Sequence, residues 1–227
     1  AASLKLQVFD SNEPTGDSEE LSVDLPVSIN VTTADFPEVR YISADMERNG
    51  AVGFSGSLRG ARLKLSQLSL RSSWLDLDGA GSFQLDETLA TEGRFSWRWK
   101  DPDSMALAGL LQFTGSPKRL DVHHELAEPL ALTTDGSVSV ASDKVTFELT
   151  NAWSELEWPT ERGALRSSHG QLVTRGTPDD IQINLAAAVG FDDGPEAEVL
   201  GEGSVRPTPD LEFRFAYELA ALDSAYA

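Results

Sequence analysis

The chain has 227 residues, of which 40% are apolar and 24% are charged, and its formal net charge at pH 7 is -19. This composition is that of a globular protein with enough apolar residues for a core. The acidic excess argues against a nucleic-acid partner and against an anionic membrane surface, since both require basic groups. The absence of cysteine excludes disulfides, zinc thiolates and a cysteine nucleophile. No run approaches about 18 apolar residues, so the sequence predicts no transmembrane helix.

The first residues are predicted to lie in a strand already, because apolar side chains alternate with polar ones over Leu4–Val8. A basic region and an apolar core are both missing at the start of the chain, which therefore does not resemble a signal peptide. We expect residues 1–227 to be a single segment from the middle of a longer protein. The polar residues Asp10–Glu20 are predicted to form a loop.

Short alternating segments follow this loop, and each is predicted to be a strand. They lie at residues 21–31 (interrupted by Pro26), 36–42, 51–58 and 61–65, before Leu68, Leu70 and Trp74. We predict a turn at Glu47–Gly50, because Asn-Gly tolerates a positive φ. A second turn is predicted at Arg59–Gly60.

The stretch Leu75–Phe113 shows the pattern that the rest of the chain repeats. Its odd-numbered positions are almost all apolar or glycine in three successive segments, whereas the even-numbered positions carry mostly polar and charged residues. Alternation at period two is typical of β-strands with one apolar face. The connectors Asp86–Glu87 and Lys100–Ser104 are short, and therefore favour hairpins over the long crossovers that parallel strands need. The fold class predicted is thus all-β, an extended antiparallel meander.

From Leu120 to Val140 the apolar positions are even-numbered, and the alternation continues in later strands such as the one that contains Val145, Phe147 and Leu149. Residues 153–158 read WSELEW, whose spacing favours a strand with a bulge. Thr177–Asp180 is a strong turn signal. A helix is predicted only at Tyr217–Tyr226. The sequence predicts roughly fifteen strands in a loose, glycine-punctuated repeat, with edges at Leu4–Val8 and Leu211–Leu219 where self-association is expected.

Motifs for catalysis or for a cofactor are missing, so we predict neither an enzyme nor a cofactor. HExxH, GxSxG and a phosphate-cradling glycine loop do not occur. His123 and His124 are adjacent, so on a strand they point to opposite faces and cannot chelate one metal together. Asp76-x-Asp78 and Asp192-Asp193 contain the clustered carboxylates that calcium favours, but the calcium loop of about twelve residues with its closing glutamate is absent.

The tryptophan pairs Trp97 with Trp99 and Trp153 with Trp158 are candidates for stacking on sugars. They share their predicted face with Leu, Val and Phe rather than with Asn and Asp, which favours aromatic residues packed on a sheet. An apolar face of this size must be hidden by closing the sheet into a barrel, by folding it into a sandwich, or by curling it into a trough that takes apolar ligands.

The order of these motifs resembles the repeat region of the TamB family. Three stretches carry the resemblance: LSLRSSWLDLDGAGSFQLDETLATEGRFSWRWKDP, then MALAGLLQFTGSPKRLDV, then NAWSELEWP followed by GQLVTRG. The W-x-x-L-x-W-P element of that family corresponds to residues 153–159, ahead of a G-x-L-x-φ-x-G element (φ, an apolar residue) that is matched here by Gly170, Leu172 and Gly176. The resemblance covers roughly residues 20–216.

This resemblance implies a β-taco, a long sheet curled into a U-shaped trough with a hydrophobic concave face. TamB-like proteins are similar to bridge-like lipid carriers that conduct phospholipid acyl chains between the inner and outer membranes across the Gram-negative periplasm. The family also implies an inner-membrane anchor on the full-length protein and an Omp85-type outer-membrane barrel (TamA-like) as partner. It is linked in addition to autotransporter assembly.

We therefore predict that alternating apolar residues line a groove for acyl chains, with the head groups left at its open mouth. The predicted lining residues are Val27, Ile29, Val31, Leu77, Phe83, Leu85, Phe95, Trp97, Leu107, Leu111, Phe113, Leu120, Val122, Val138, Val140, Phe147, Leu149, Leu172, Ile181, Ile183, Leu185, Phe213 and Phe215. Two alternatives remain open at this point. One is a scaffold or chaperone that accepts a client strand at an open sheet edge; the other is a closed sandwich or barrel that binds carbohydrate.

Overall fold

The computed structural model describes residues 4–7, 25–42, 47–86, 88–100, 106–116, 118–141, 144–160, 163–192, 194–207 and 212–221. These residues form fifteen β-strands and no helix, and so none of their segments is a helix able to span a membrane. The chain divides into two compact units, residues 1–116 (unit 1) and residues 117–227 (unit 2).

Unit 1 is a meander of seven strands. They are β1 (Leu4–Gln7), β2 (Leu25–Ile42), β3 (Glu47–Gly60), β4 (Arg62–Ser72), β5 (Leu75–Gln84), β6 (Thr91–Trp99) and β7 (Leu107–Ser116). From β2 to β7 each strand pairs antiparallel with the next along the chain. The short β1 is the exception, because it pairs with β2 in parallel.

Unit 2 repeats this plan with eight strands. They are β8 (Arg119–Glu128), β9 (Leu132–Ala141), β10 (Lys144–Trp153), β11 (Leu156–Thr160), β12 (Gly163–Thr177), β13 (Asp180–Phe191), β14 (Ala197–Arg206) and β15 (Glu212–Ala221). β8 pairs antiparallel with β9 and β9 with β10, and each strand from β11 to β14 pairs antiparallel with the next strand along the chain. The long β12 pairs with β11 along its first half and with β10 along its second half.

Both units are open sheets with no second layer among the described residues. In each unit the first and last described strands are not paired with each other. No large side chain is fully buried in the described part of the chain, and the buried apolar residues there are only Ala108, Ala187 and Ala188. A sandwich or a closed barrel would bury large side chains between its walls. The predicted all-β antiparallel meander is thus confirmed, with β1 as the parallel exception.

Three local predictions were wrong, two of them because strand pairing outweighed a local signal. The predicted turn at Glu47–Gly50 lies within β3, where Gly50 pairs with Val39 on one side and Ser72 on the other. A Cβ at Gly50 would lie 2.8 Å from the carbonyl oxygen of Arg71, so this glycine permits close strand approach rather than a turn.

The helix predicted at Tyr217–Tyr226 is strand as far as Ala221, where the described residues end. Residues 212–221 pair continuously with β14, which satisfies their backbone groups without a helix.

The bulge predicted within residues 153–158 is instead a break between β10 and β11. The irregular register lies on the partner strand β12, between Arg166 and His169. The loop predicted at Asp10–Glu20 lies outside the described residues.

Candidate functional site

Strand register gathers the large apolar side chains of unit 1 on one face, which we call its apolar face. Directly opposed residues of an antiparallel pair point to the same side of the sheet. In β5, β6 and β7 the odd-numbered residues oppose one another throughout, and in β6 these residues are half-buried while the even-numbered ones are exposed. The apolar face carries Ile29, Val31, Phe36, Val52, Phe54, Leu58, Leu63, Leu65, Leu68, Leu70, Leu75, Leu77, Phe83, Phe95, Trp97, Trp99, Leu107, Leu111 and Phe113.

Unit 2 has an apolar face of its own, built in the same way. It carries Leu120, Val122, Leu126, Leu132, Val138, Val140, Val145, Phe147, Leu149, Trp153, Leu172, Ile181, Ile183, Leu185, Val189, Val199, Val205, Phe213, Phe215, Tyr217 and Leu219. Several of these side chains are strongly exposed, among them Phe213 at 60% and Leu219 at 63%.

Most of the predicted groove residues lie on these two faces. Leu85 follows the end of β5, where its N–H donates to the carbonyl oxygen of Ala61 at 2.7 Å. Val27 lies in β2, and its side chain is outside the described residues. The apolar faces also contain residues that the prediction omitted, such as Phe36, Phe54 and the four leucines of β4. The same alternation marked these residues in the sequence.

On both apolar faces, aromatic rings cover glycines of the neighbouring strand. A Cβ at Gly79 would overlap the ring of Phe95, and one at Gly201 would overlap the ring of Phe215. Phe95 also stacks on Phe113, with 5.9 Å between ring centroids and 10° between ring planes, and a Cβ at Gly93 would lie 2.6 Å from either ring. Aromatic side chains laid over cross-strand glycines cover backbone that would otherwise face solvent.

Trp153 shows the same arrangement at the end of β10. Its indole ring occupies the space of a Cβ at Gly170, and its Nε1–H donates to Ser167 Oγ at 2.8 Å. The Ser167 hydroxyl donates in turn to the carbonyl oxygen of His169 at 3.0 Å. Trp158, predicted as its partner in sugar stacking, is in β11 opposite Leu165 and 46% exposed.

We predict that Gly170→Ala lowers the free energy of unfolding by about 1–3 kcal/mol, because the new methyl group must displace the Trp153 ring. Gly190→Ala is the matched control, since the atom nearest to its new Cβ is a side-chain atom, Glu196 Cγ at 3.1 Å, and no ring occupies the space. Denaturant unfolding followed by tryptophan fluorescence measures both. Equal loss in the two variants would contradict the packing of Trp153 on Gly170.

The opposite face of each sheet, its polar face, carries ion pairs. In unit 1 the guanidinium of Arg71 donates to both carboxylate oxygens of Asp78, at 2.6 and 2.8 Å, and Lys100 Nζ donates to Asp76 Oδ1 at 2.7 Å. Asp76 and Asp78, considered above as calcium ligands, thus each have a cationic partner. Asp192 Oδ1 accepts from the backbone N–H of Ala164 at 2.8 Å. No cluster of three potential metal ligands occurs within the described ranges.

His123 and His124 point to opposite faces of β8, as predicted. His123 lies on the polar face, with Nδ1 2.6 Å from Asp135 Oδ1 and Nε2 3.1 Å from Glu125 Oε1. The hydrogen bond with Asp135, followed by that with Glu125, raises the pKa of His123 above its usual value. His124 lies on the apolar face, opposite Thr134. Burial, followed by repulsion from His123, lowers the pKa of His124.

The two adjacent imidazoles are therefore expected to titrate separately in NMR spectra, His123 at the higher pH and His124 at the lower. Because its folded pKa is raised, His123 stabilises the protein fully below its unfolded pKa of about 6.5, and this contribution is lost as the pH rises through the folded pKa. Asp135→Asn should lower the pKa of His123 and weaken this dependence. Titration of both rings at one pH would contradict the placement of His124 on the apolar face.

A family model described as TamB, N-terminal domain, matches residues 12–207. No curated protein and no solved structure matches the chain. TamB proteins are transport and assembly proteins of the translocation and assembly module, they span the periplasm between the two membranes, and they are associated with a TamA-type Omp85 partner. The match extends over most of the chain, in which open antiparallel sheets each display one apolar face. The chain therefore belongs to the TamB family.

Proposed function

We propose that the apolar faces of both units bind phospholipid acyl chains, and that the protein conducts these chains between the inner and outer membranes. The observation that carries the proposal is an apolar face on each sheet that no second layer covers among the described residues. Soluble proteins rarely leave a contiguous apolar surface of this extent without a ligand or partner. An acyl chain is the ligand that matches an extended surface of Leu, Val, Ile and Phe side chains.

Energetics favour binding that is reversible and allows movement along the sheet. Each buried methylene stabilises the complex by about 0.8 kcal/mol, so one acyl chain suffices for binding. Both apolar faces present mostly aliphatic and aromatic side chains, so a chain that slides from one strand to the next exchanges similar contacts. Strands lie about 4.8 Å apart, which sets the length of each step. The charged head group would remain in water at the open side.

In this proposal residues 1–227 act as one segment of a trough in a full-length protein anchored in the inner membrane. An Omp85-type barrel is the partner at the outer membrane. The family supports this arrangement, since TamB proteins are associated with such a barrel. The lipid would enter and leave along the trough, and the charged polar faces would remain in contact with water.

Native mass spectrometry of the protein purified from a bacterial periplasm, with lipid extraction of the same sample, tests the proposal. We expect phospholipid to copurify with the protein and to exchange for added lipid. A protein free of lipid that also fails to bind added fatty acid would refute acyl-chain binding.

The exposed edge of β15 supports a second candidate function, a scaffold that accepts a client strand. Among the described residues β15 pairs only with β14, and its side chains Phe213, Tyr217 and Leu219 are all at least 60% exposed. An extended client peptide would add to this edge through backbone hydrogen bonds. Hydrogen exchange at 212–221 distinguishes the two functions, because a client strand protects these amides whereas an acyl chain leaves the outer row of amides exchanging.

A further inference from the structure

A row of three polar side chains interrupts the apolar face of unit 2. His124 of β8, Thr134 of β9 and Asn151 of β10 oppose one another across three adjacent strands. The row lies between two apolar rows of the same strands. One contains Leu126, Leu132 and Trp153, and the other contains Val122, Gly136 and Leu149.

Direct hydrogen bonds fix the geometry of this polar row. Thr134 Oγ1 donates to Asn151 Oδ1 at 2.8 Å, and Asn151 Nδ2 donates to the carbonyl oxygen of Leu172 at 3.2 Å. The Asn151 amide carries two N–H groups, so it retains a second donor that has no partner among the described residues. All three side chains are half-buried, which makes an unmet donor here more costly than one in water.

The donor that this row retains is the second N–H of Asn151, because the hydroxyl hydrogen of Thr134 is already donated to Asn151 Oδ1. This donor suits an uncharged acceptor. Threonine and asparagine are neutral, and burial lowers the pKa of His124, which keeps its ring neutral near pH 7. The chain as a whole carries a net charge of -19, which opposes an anionic group at this point. A hydrocarbon chain offers no acceptor, whereas the ester carbonyl that joins an acyl chain to glycerol offers one without a charge.

We propose that the row formed by His124, Thr134 and Asn151 is a subsite for the ester carbonyl of an acylglycerol lipid. The inference rests on the proposed function, because it requires the acyl chain to lie on the apolar face beside the row. It adds a chemical preference to that face, which would retain acyl esters longer than plain hydrocarbon. The lipid would then pause where its glycerol-ester region reaches unit 2.

Two lipids that differ only by this carbonyl test the proposal. Monopalmitoylglycerol and the hexadecyl ether of glycerol are compared as competitors of a fluorescent apolar probe on the purified protein. The ester carbonyl adds one neutral hydrogen bond to the complex. We therefore expect the protein to bind the ester with an affinity roughly threefold to tenfold higher than that for the ether. The variant Thr134→Val, Asn151→Leu should bind the ether as the parent does and should lose the preference for the ester.

The matched control is Thr133→Val, Thr150→Val, which alters the neighbouring positions of the same two strands on the polar face. This control should keep the parental preference for the ester. If the double variant does not fold, Thr134→Val alone is used in its place and should reduce that preference. Equal binding of ester and ether by the parent, or a preference that survives in the variants, would overturn the subsite and leave acyl-chain binding intact. Failure of both lipids to bind the parent would refute the proposed function and the subsite with it.

Discussion

The variant Leu107→Asp, Leu111→Asp is expected to copurify with at most about one tenth of the phospholipid found on the parent protein. Both leucines lie on the apolar face of unit 1, where Leu111 opposes Phe95 and Leu107 opposes Trp99. A carboxylate there must lose its hydration shell whenever an acyl chain covers it, and the chain offers no compensating hydrogen bond. Quantitative lipid mass spectrometry, expressed per mole of protein, measures the effect.

The variant Gln112→Asp, Thr114→Asp is the matched control for this experiment. It places the same two charges on the same strand, but on the polar face, where Gln112 opposes Arg94 and Thr114 opposes Glu92. Parental lipid content is expected in this variant. Equal lipid loss in both variants would show that added negative charge, rather than the apolar face, determines lipid content.

Phe95→Ala is expected to lower the free energy of unfolding by about 2–4 kcal/mol, a large effect for a half-buried side chain. The ring of Phe95 covers Gly79, contacts the position of a Cβ at Gly93 and stacks on Phe113. Its removal exposes the backbone of two neighbouring strands and breaks the aromatic pair. Chemical denaturation of the parent and the variant measures the loss.

Phe213→Ala provides the comparison, because Phe213 also belongs to a stacked pair. Its centroid lies 5.9 Å from that of Phe215, with 11° between the rings, but Phe213 opposes Val205 rather than a glycine and is 60% exposed. We expect a loss below about 1 kcal/mol for this variant. Similar losses at the two positions would mean that covering glycine adds little to stability.

Alternation alone predicted most of the strands, since a one-residue step reverses the direction of a side chain in any extended segment. The odd positions of β5, β6 and β7 are the clearest example, and their shared face follows from short hairpin connectors. Local signals failed where long-range pairing competed with them. Asn49 and Gly50 form no turn because β2 and β4 pair on either side of β3, and Tyr217–Ala221 forms no helix because it pairs with β14.

The details of the candidate site depend on register, which the sequence does not state. Phe95 meets Gly79, and Trp153 meets Gly170, only because particular residues of neighbouring strands oppose each other. The polar row of His124, Thr134 and Asn151 has the same origin, because its members are 10 and 17 residues apart in the chain. No feature of the sequence around each of these residues indicates a shared site. The arrangement follows only from the pairing of the strands.

Site-specific photocrosslinking in the full-length protein in cells tests the central claim most directly, namely that acyl chains lie on the apolar faces. A benzophenone amino acid is placed at Phe113 or Phe147 on the apolar faces, and at their neighbours Thr114 or Glu148 on the polar faces. We expect phospholipid adducts, identified by mass spectrometry, at Phe113 and Phe147 and not at Thr114 or Glu148. Adducts that are equally frequent on both faces, or adducts to protein clients without lipid at Phe113 and Phe147, would contradict lipid conduction along the apolar faces.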